Sequence, residues 1–214
     1  ESEATQAEAA ADAREFSEEF RYTATATGGI VVFDAVTDLI FSSAIEGLIL
    51  AVGLTGVFLV VAYGILERKP MLGIVNVFPI LIAIAYLIGT MRYLGMSLNA
   101  LTATILSISI GLGIAYSVHA THRFIDEFNA GSGAHEAMVT TLTGTGGALL
   151  GSMLTTSLGT GALALAITPV LGDFGLLMAL SVFYSFAMAV IALPPAVLLW
   201  ARYQKAGAFE GLAG

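Results

Sequence analysis

The sequence contains no cysteine and little charge. Without thiols, the chain cannot form disulfides, use a thiol nucleophile or bind a metal through thiolates. Only 11% of its 214 residues are charged, and 8 Lys and Arg stand against 16 acids. Ten of those acids lie between Glu1 and Glu46, so the negative charge belongs to the first part of the chain. This distribution argues against nucleic acid as a partner.

Apolar residues make up 57% of the sequence, and the mean hydropathy is +0.88. Five apolar runs reach the roughly 20 residues that a helix needs to cross a hydrocarbon core about 30 Å thick. They cover residues 47–66, 72–91, 101–119, 142–168 and 174–200. We therefore predict an all-α integral membrane protein whose residues 44–203 form a five-helix transmembrane bundle in the lipid bilayer.

Residues 1–43 differ from the apolar runs in composition and predict a leader outside the membrane. The segment Glu1–Phe20 is rich in Ala and Glu, which favours a soluble helix. Two glycines and the run Ile30–Phe33 follow a Thr-rich stretch and predict a turn and a short strand. Asp34 is the predicted N-cap of the next helix, and Asp173 that of the last one.

The basic residues predict the orientation, because cytoplasmic loops retain Lys and Arg. If the spans alternate, one side carries Arg68, Lys69, Arg123, Arg202 and Lys205. The leader is then extracytoplasmic and the tail 204–214 cytoplasmic, in a multi-pass protein of the cell membrane. The inner-surface loop 123–141 is the longest predicted connection and mixes apolar with charged residues, which indicates a partly amphipathic stretch.

The third span carries many polar residues for a helix in lipid. They are Thr102, Thr104, Ser107, Ser109, Tyr116, Ser117 and His119. Such a helix is expected to face other helices or water. Any single Ser or Thr is explained by interhelical packing alone, so only the cluster favours a functional role. His119 and His122 share a helical face, but no third ligand completes a metal site, and an interfacial hydrogen-bonded pair is the favoured interpretation.

Small residues predict a close contact between the third and fourth spans. Gly111 and Gly113 lie on the third span, and Gly147 and Gly151 form a GxxxG pair on the fourth. The same helix-packing role is expected of Thr155 and Thr156. No nucleophile–base constellation, phosphate-binding loop or paired buried carboxylate is visible, so neither an enzyme nor a cofactor is expected.

Residues 111–127, which read GLGIAYSVHATHRFIDE, resemble the fourth transmembrane helix of resistance-nodulation-division (RND) exporters of the MMPL and Patched-like branch. Similar fragments follow in the family's order at 143–147, 155–156, 172–175 and 193–195. The resemblance implies that the five spans are helices two to six of a six-helix half, the block called a sterol-sensing domain in Patched-like proteins. It also implies that residues 1–43 are a remnant of the porter domain.

One position departs from the family pattern. Ala115 stands where the family has its proton-carrying Asp, beside a retained Tyr116. The resemblance places the proton-relay region at Ala115, Tyr116, Ser117 and His119. Since alanine has no ionisable group, either the other half of the transporter carries the relay or this chain has lost coupling.

The leading hypothesis is the transmembrane domain of a secondary exporter for hydrophobic or amphiphilic molecules, proton-coupled in the full protein. A second transmembrane half of the same transporter is the implied partner, and a homo-oligomer stays open. One rival is a lipid- or sterol-responsive regulatory bundle without transport, which the missing Asp favours. Another is a SecD-like protein-export accessory, whose distinguishing motifs would lie in the outer domain.

Overall fold

The computed structural model describes residues 3–18, 28–96 and 100–210, and every regular element in these ranges is helical. The α-helices are α1 (Glu3–Glu18), α2 (Gly29–Leu66), α3 (Met71–Tyr93), α4 (Ala100–Asn129), α5 (Ala134–Gly161), α6 (Pro169–Ile191) and α7 (Leu193–Glu210). A 3₁₀ turn at Ala162–Leu165 extends α5. Five spans are long and apolar enough to cross a membrane, with α6 and α7 together forming the last, which confirms the predicted five-helix bundle.

The second helix begins earlier than the sequence predicted. It runs unbroken for 38 residues, about 57 Å at 1.5 Å per residue, and so is much longer than the hydrocarbon core. The predicted strand at Ile30–Phe33 is therefore wrong, because these residues form the first turns of α2. Asp34 lies inside the helix and does not cap it; its carboxylate pairs with Arg14 of α1 at 2.9 Å. Phe20 and the Thr-rich run 22–27 lie outside the described residues.

Two further boundaries differ from the prediction. The prediction of a loop at 123–141 is wrong, because α4 continues to Asn129 and only residues 130–133 separate it from α5. Phe124 and Ile125 are fully buried on one face of α4, and this packing extends the helix beyond its apolar run. Asp173 does not cap the last span, since α6 begins at Pro169 with Thr168 as its N-cap residue.

One end of the bundle gathers the basic residues near the turn between α2 and α3. Lys69 donates a hydrogen bond to Asn129 Oδ1 at 2.9 Å, and its Nζ lies 5.6 Å from the centre of the Trp200 ring on α7. We call this the basic end. The basic end also contains Arg68, the neighbour of Lys69 in the turn. Arg14 lies elsewhere, on α1. That the basic end faces the cytoplasm stays a prediction.

The fourth helix occupies the centre of the bundle and packs against α2, α3, α5 and α6. In the most apolar 18-residue stretch of each helix, half of the residues of α4 are buried, compared with 11% in α2 and 6% in α5. One apolar cluster, including Leu72, Phe124 and Val197, lies toward the basic end. A second, including Ile105 and Leu177, lies toward the other end. Polar residues on α4 are therefore surrounded by protein on most sides.

Candidate functional site

Four Ser and Thr side chains of the central helix lie in the protein interior. Thr102, Ser109, Ser117 and Thr121 are each at most 4% exposed. Ser109 satisfies its hydroxyl within its own helix, by donating to the Ile105 carbonyl at 2.6 Å. Such local bonds are common for Ser and Thr in helices and need no partner helix. Ser117 and Thr121 lie one turn apart on the same face of α4, so their surroundings define the candidate site.

The structure does not bring the four predicted relay residues onto one surface. Tyr116 is buried among α5 and α6 residues, with its ring edge-on to Phe186 at 5.9 Å between centroids. Ser117 is 1% exposed in the interior. Ala115 and His119 point instead into an open cavity between α2 and α4. Successive helical residues are about 100° apart, which explains why neighbouring residues reach different sides of α4.

The cavity between α2 and α4 has a volume of about 650 Å³ and mostly apolar walls. Leu54, Phe58 and Ala62 contribute from α2, and Ile114 and Val118 from α4. Most of its polar lining lies toward the basic end, at Tyr63, Glu67, His119 and His122, and Thr55 lies further from that end. The volume falls within the range of small-molecule sites, roughly 300–1,000 Å³.

The two histidines predicted as an interfacial pair both line the polar end of this cavity. His122 Nδ1 lies 3.5 Å from Glu67 Oε1, which joins α4 to the end of α2. Within residues 3–18, 28–96 and 100–210, no group of three or more His, Cys, Asp or Glu side chains has a metal-binding arrangement. His122 and Glu67 thus link α4 to the end of α2 beside the polar end of the cavity.

Sequence reasoning missed two residues that lie against the polar face of α4. Thr121 donates a hydrogen bond to Asn76 Oδ1 of α3 at 3.0 Å, and Asn76 Nδ2 donates to the Leu72 carbonyl at 2.9 Å. The Tyr63 hydroxyl of α2 faces the same two side chains, Asn76 and Thr121. The sequence feature that could have indicated this contact was Asn76 itself, an amide side chain inside the apolar run 72–91. A buried amide in a membrane helix indicates a polar partner.

The predicted glycine contact between α4 and α5 is wrong. A Cβ added at Gly111, Gly147 or Gly151 would meet no described atom within 4 Å. The two helices touch instead through larger residues, since Tyr116, Met153 and Leu149 share one buried cluster. A pair of small residues marks a face that a helix can approach, but it does not specify which helix approaches it.

Gly113 does permit a close approach, but to α6, where an added Cβ would collide with the Ser185 side chain. The contact between α5 and α6 is partly polar, because Ser157 donates to the Ala179 carbonyl at 3.1 Å. Thr155 is exposed and bonds only to carbonyls of its own helix, and Thr156 is partly buried. Neither threonine forms a described side-chain bond to another helix.

Comparison with known proteins agrees with this architecture. Residues 1–208 match the profile of the MMPL family. The chain is also 33% identical over 152 residues to MJ1562 of Methanocaldococcus jannaschii, which is named as a membrane protein. That alignment covers 71% of this chain and 39% of the relative, so the chain spans well under half of the relative's length. With five candidate membrane spans in the described residues, one of them a central helix with buried polar side chains, the chain is a multi-pass membrane domain and belongs to the MMPL family.

Proposed function

We propose that this chain is the transmembrane domain of one half of a secondary exporter for hydrophobic or amphiphilic molecules, proton-coupled in the full protein. The observation that carries the proposal is the family match over residues 1–208. The polar interior around α4 supports it, because buried polar groups in membrane helices are costly and commonly serve an ion or substrate path. The remainder of the transporter supplies the second half and the porter domains.

Proton coupling in this exporter depends on an acid outside position 115. Ala115 faces the cavity and cannot bind a proton, and Tyr116 is packed against Phe186. We therefore assign the proton-carrying carboxylate to the second transmembrane half.

The test of coupling is proton flux measured together with substrate efflux, using the full-length protein in vesicles. Neutralising the acids in the spans of the second half should abolish coupling, and Tyr116→Phe should leave most of it. Ala115→Asp is the matched gain-of-acid variant, expected to increase coupled flux. Coupling that persists after every such acid is neutralised would contradict the assignment, and the absence of substrate efflux from all forms would contradict export itself.

The second half packs on the open face of α5. This face carries Gly144, Gly147, Gly151 and Gly159, at each of which an added Cβ would meet no described atom within 4 Å. Small residues allow the backbone of a neighbouring membrane helix to come close. Only 6% of the residues in the most apolar stretch of α5 are buried within this chain, so most of this helix surface is open to a partner.

Cysteine cross-linking in the full-length protein tests this interface. Gly147→Cys should form disulfides with cysteines placed in the second half of the same polypeptide. Gly53→Cys, on the open face of α2, is the matched control and should not. Cross-links between two copies at Gly147 would indicate a homo-oligomer interface, and equal cross-linking at both positions would contradict a specific contact.

A second candidate function is a lipid-responsive regulatory bundle, which the cavity between α2 and α4 supports. Its largely apolar section runs from Leu54 to Leu66, thirteen residues that rise about 18 Å along the helix axis, close to the thickness of one leaflet of a core about 30 Å thick. Its polar end offers a carboxylate and two imidazoles. This combination suits a single-chain amphiphile with a hydrogen-bonding headgroup.

Palmitoyl-lysophosphatidylethanolamine is a suitable probe for that candidate, added to delipidated full-length protein. It should raise the midpoint of thermal unfolding of the wild type. Ala62→Phe should remove the effect by filling the cavity, whereas Val61→Phe, on a neighbouring position that does not line it, should retain the effect. Equal stabilisation of both variants would exclude this cavity as the binding site.

A further inference from the structure

Three tyrosines line an open pocket between α3 and α6, on a different side of the bundle from the cavity between α2 and α4. They are Tyr86 and Tyr93 of α3 and Tyr184 of α6, and Ala85, Gly89 and Thr90 complete the lining. The pocket has a volume of about 520 Å³. Tyr86 is 56% exposed and Tyr93 89%, so both rings are accessible from outside the bundle.

The pocket lies toward the end of the bundle opposite the basic end. Tyr93 is the last residue of α3, whereas the basic end adjoins Met71, the first. Tyr86 and Thr90 lie about 10 and 5 Å below Tyr93 along the helix axis, at 1.5 Å per residue. The 23 residues of α3 span about 34 Å, slightly more than a hydrocarbon core about 30 Å thick. The pocket is therefore near the edge of the core.

Tyrosines are common at membrane interfaces, so their number alone does not identify a binding site. Here their arrangement does. Tyr86, Thr90 and Tyr93 share one face of α3, because successive members are four and three residues apart. Between them lies Gly89, where an added Cβ would meet no described atom within 4 Å. The absence of a side chain at this position leaves the pocket open beside the rings.

Contacts on several sides hold the Tyr184 ring in one orientation. Thr90 Oγ1 donates to the Tyr86 carbonyl at 2.9 Å and lies 2.8 Å from the Tyr184 hydroxyl. A threonine hydroxyl has a single proton, so the tyrosine is the donor in the second bond. The Tyr184 ring centre lies 6.0 Å from that of Tyr86 and 5.8 Å from that of Phe183. This preorganisation lowers the cost of ordering the site when a ligand binds.

The described lining offers aromatic rings and hydroxyls but no charged side chain. Arg92, the neighbour of Tyr93, lines a separate pocket with Ile88 and Leu106. The face of an aromatic ring is negative and attracts a cation within about 6 Å of the ring centre. A primary ammonium also needs acceptors for its N–H groups, whereas a quaternary ammonium has none to satisfy. The lining therefore favours a quaternary ammonium.

An apolar surface continues from the pocket toward the middle of the bundle. Phe78 precedes Ala85 by two helical turns, lies on the same face of α3 and is 51% exposed. Phe183, beside Tyr184 on α6, is 48% exposed. An alkyl chain attached to a headgroup in the pocket can lie along these side chains.

We propose that the pocket formed by Tyr86, Tyr93 and Tyr184, called here the tyrosine site, binds the trimethylammonium group of a choline-type lipid. The rings contact the N-methyl groups, and the alkyl chain follows the apolar surface of α3 and α6. This binding requires neither proton coupling nor export, so it is independent of the transport function proposed above.

Two lysolipids that differ only at the ammonium test the headgroup preference. Binding of tritiated palmitoyl-lysophosphatidylcholine to the full-length protein in dodecyl maltoside is measured by scintillation proximity, with unlabelled competitors. We expect palmitoyl-lysophosphatidylethanolamine, which has the same chain and phosphate, to compete at least about fivefold more weakly. Free choline should compete more weakly still, because it lacks the chain. Equal competition by the two lysolipids would overturn the preference for a quaternary ammonium, and equal competition by free choline would overturn the role of the chain.

Substitutions at Tyr86 separate the contribution of the ring from that of its hydroxyl. Tyr86→Leu should weaken binding of the labelled lipid at least about fivefold, whereas Tyr86→Phe, which keeps the ring, should stay within about twofold of the wild type. Tyr203→Leu is the matched control, since Tyr203 is 72% exposed but lies on α7, outside the pocket. Equal losses in Tyr86→Phe and Tyr86→Leu would indicate a hydrogen-bonded headgroup, such as a sugar, and would overturn the cation–ring contact. Wild-type affinity in Tyr86→Leu would overturn the site.

The cavity between α2 and α4 is the competing location for the same lipid. Ala62→Phe fills that cavity and should leave the binding of palmitoyl-lysophosphatidylcholine unchanged. If binding falls in Ala62→Phe but not in Tyr86→Leu, the lipid occupies the cavity, so the tyrosine site is wrong and the lipid-responsive bundle stands. If Tyr86→Leu alone lowers binding, the tyrosine site stands even where vesicles show no substrate efflux.

Discussion

The contact between α2 and α3 gives the sharpest prediction about packing, because Gly73 has backbone directly against it. A Cβ at Gly73 would lie 2.5 Å from Val60 N and 2.6 Å from Val60 Cα. Comfortable separations between heavy atoms are about 3.5–4.0 Å, so Gly73→Ala must part the helices by about 1 Å. Forced separation of a packed contact costs about 1–3 kcal/mol. We expect the upper part of this range, since no side-chain rotation can relieve a clash with backbone.

Gly89→Ala is the matched control, on the same helix but with no described atom within 4 Å of the added Cβ. It should gain up to about 1 kcal/mol from the better helix propensity of alanine. A difference of about 3 kcal/mol between the variants corresponds to roughly 6–12 °C in unfolding midpoint, if each kcal/mol shifts a domain of this size by about 2–4 °C. Thermal unfolding of detergent-solubilised protein, followed by size-exclusion chromatography, measures it. A Gly73→Ala midpoint at or above the control would refute the close approach of α2 and α3.

Three further changes test other parts of the structure. Gly113→Ala should lower the unfolding midpoint, because its Cβ meets the Ser185 side chain, and adding Ser185→Gly should restore it; no rescue would contradict the contact between α4 and α6. Thr121→Val should destabilise by about 1–3 kcal/mol in a denaturant titration, because Asn76 Oδ1 loses its donor, while Thr121→Ser should stay close to the wild type. Asn129→Cys, at the basic end, should react with an impermeant maleimide only after cells are opened, and labelling of intact cells would reverse the predicted orientation.

The sequence was sufficient for the number of spans but not for their ends. Runs of about 20 apolar residues determine how many helices cross a bilayer, because exposed backbone groups are not tolerated in hydrocarbon. They do not determine where a helix stops outside it. The α2 helix extends to Gly29 and α4 to Asn129, and contacts with α1 and burial of Phe124 accompany those extensions. Such contacts depend on tertiary packing, which local hydropathy does not report.

The polar character of the central helix was also predictable, whereas its partners were not. The number of Ser and Thr residues on α4 is visible directly in the sequence. Asn76 and Tyr63 each appear as one polar residue in an apolar run, and only the rotation and depth of α2 and α3 bring them to Thr121. The glycine pattern had the same weakness. It identified helix faces made of small residues, but it predicted that Gly113 contacts α5, whereas Gly113 packs against α6.

Ala115 and the buried Ser117 lie on opposite sides of one helix. Ala115 faces the cavity that ends at Glu67 and His122, while Ser117, two residues later, points into the bundle. Two residues turn a helix by about 200°, so a side chain at one position cannot substitute sterically for the other. Alanine at position 115 therefore presents no ionisable group to the cavity and leaves the buried polar groups on the other side of α4 unchanged. Ala115→Asp would therefore place a carboxylate in the cavity between α2 and α4, and not beside Ser117 in the interior of the bundle.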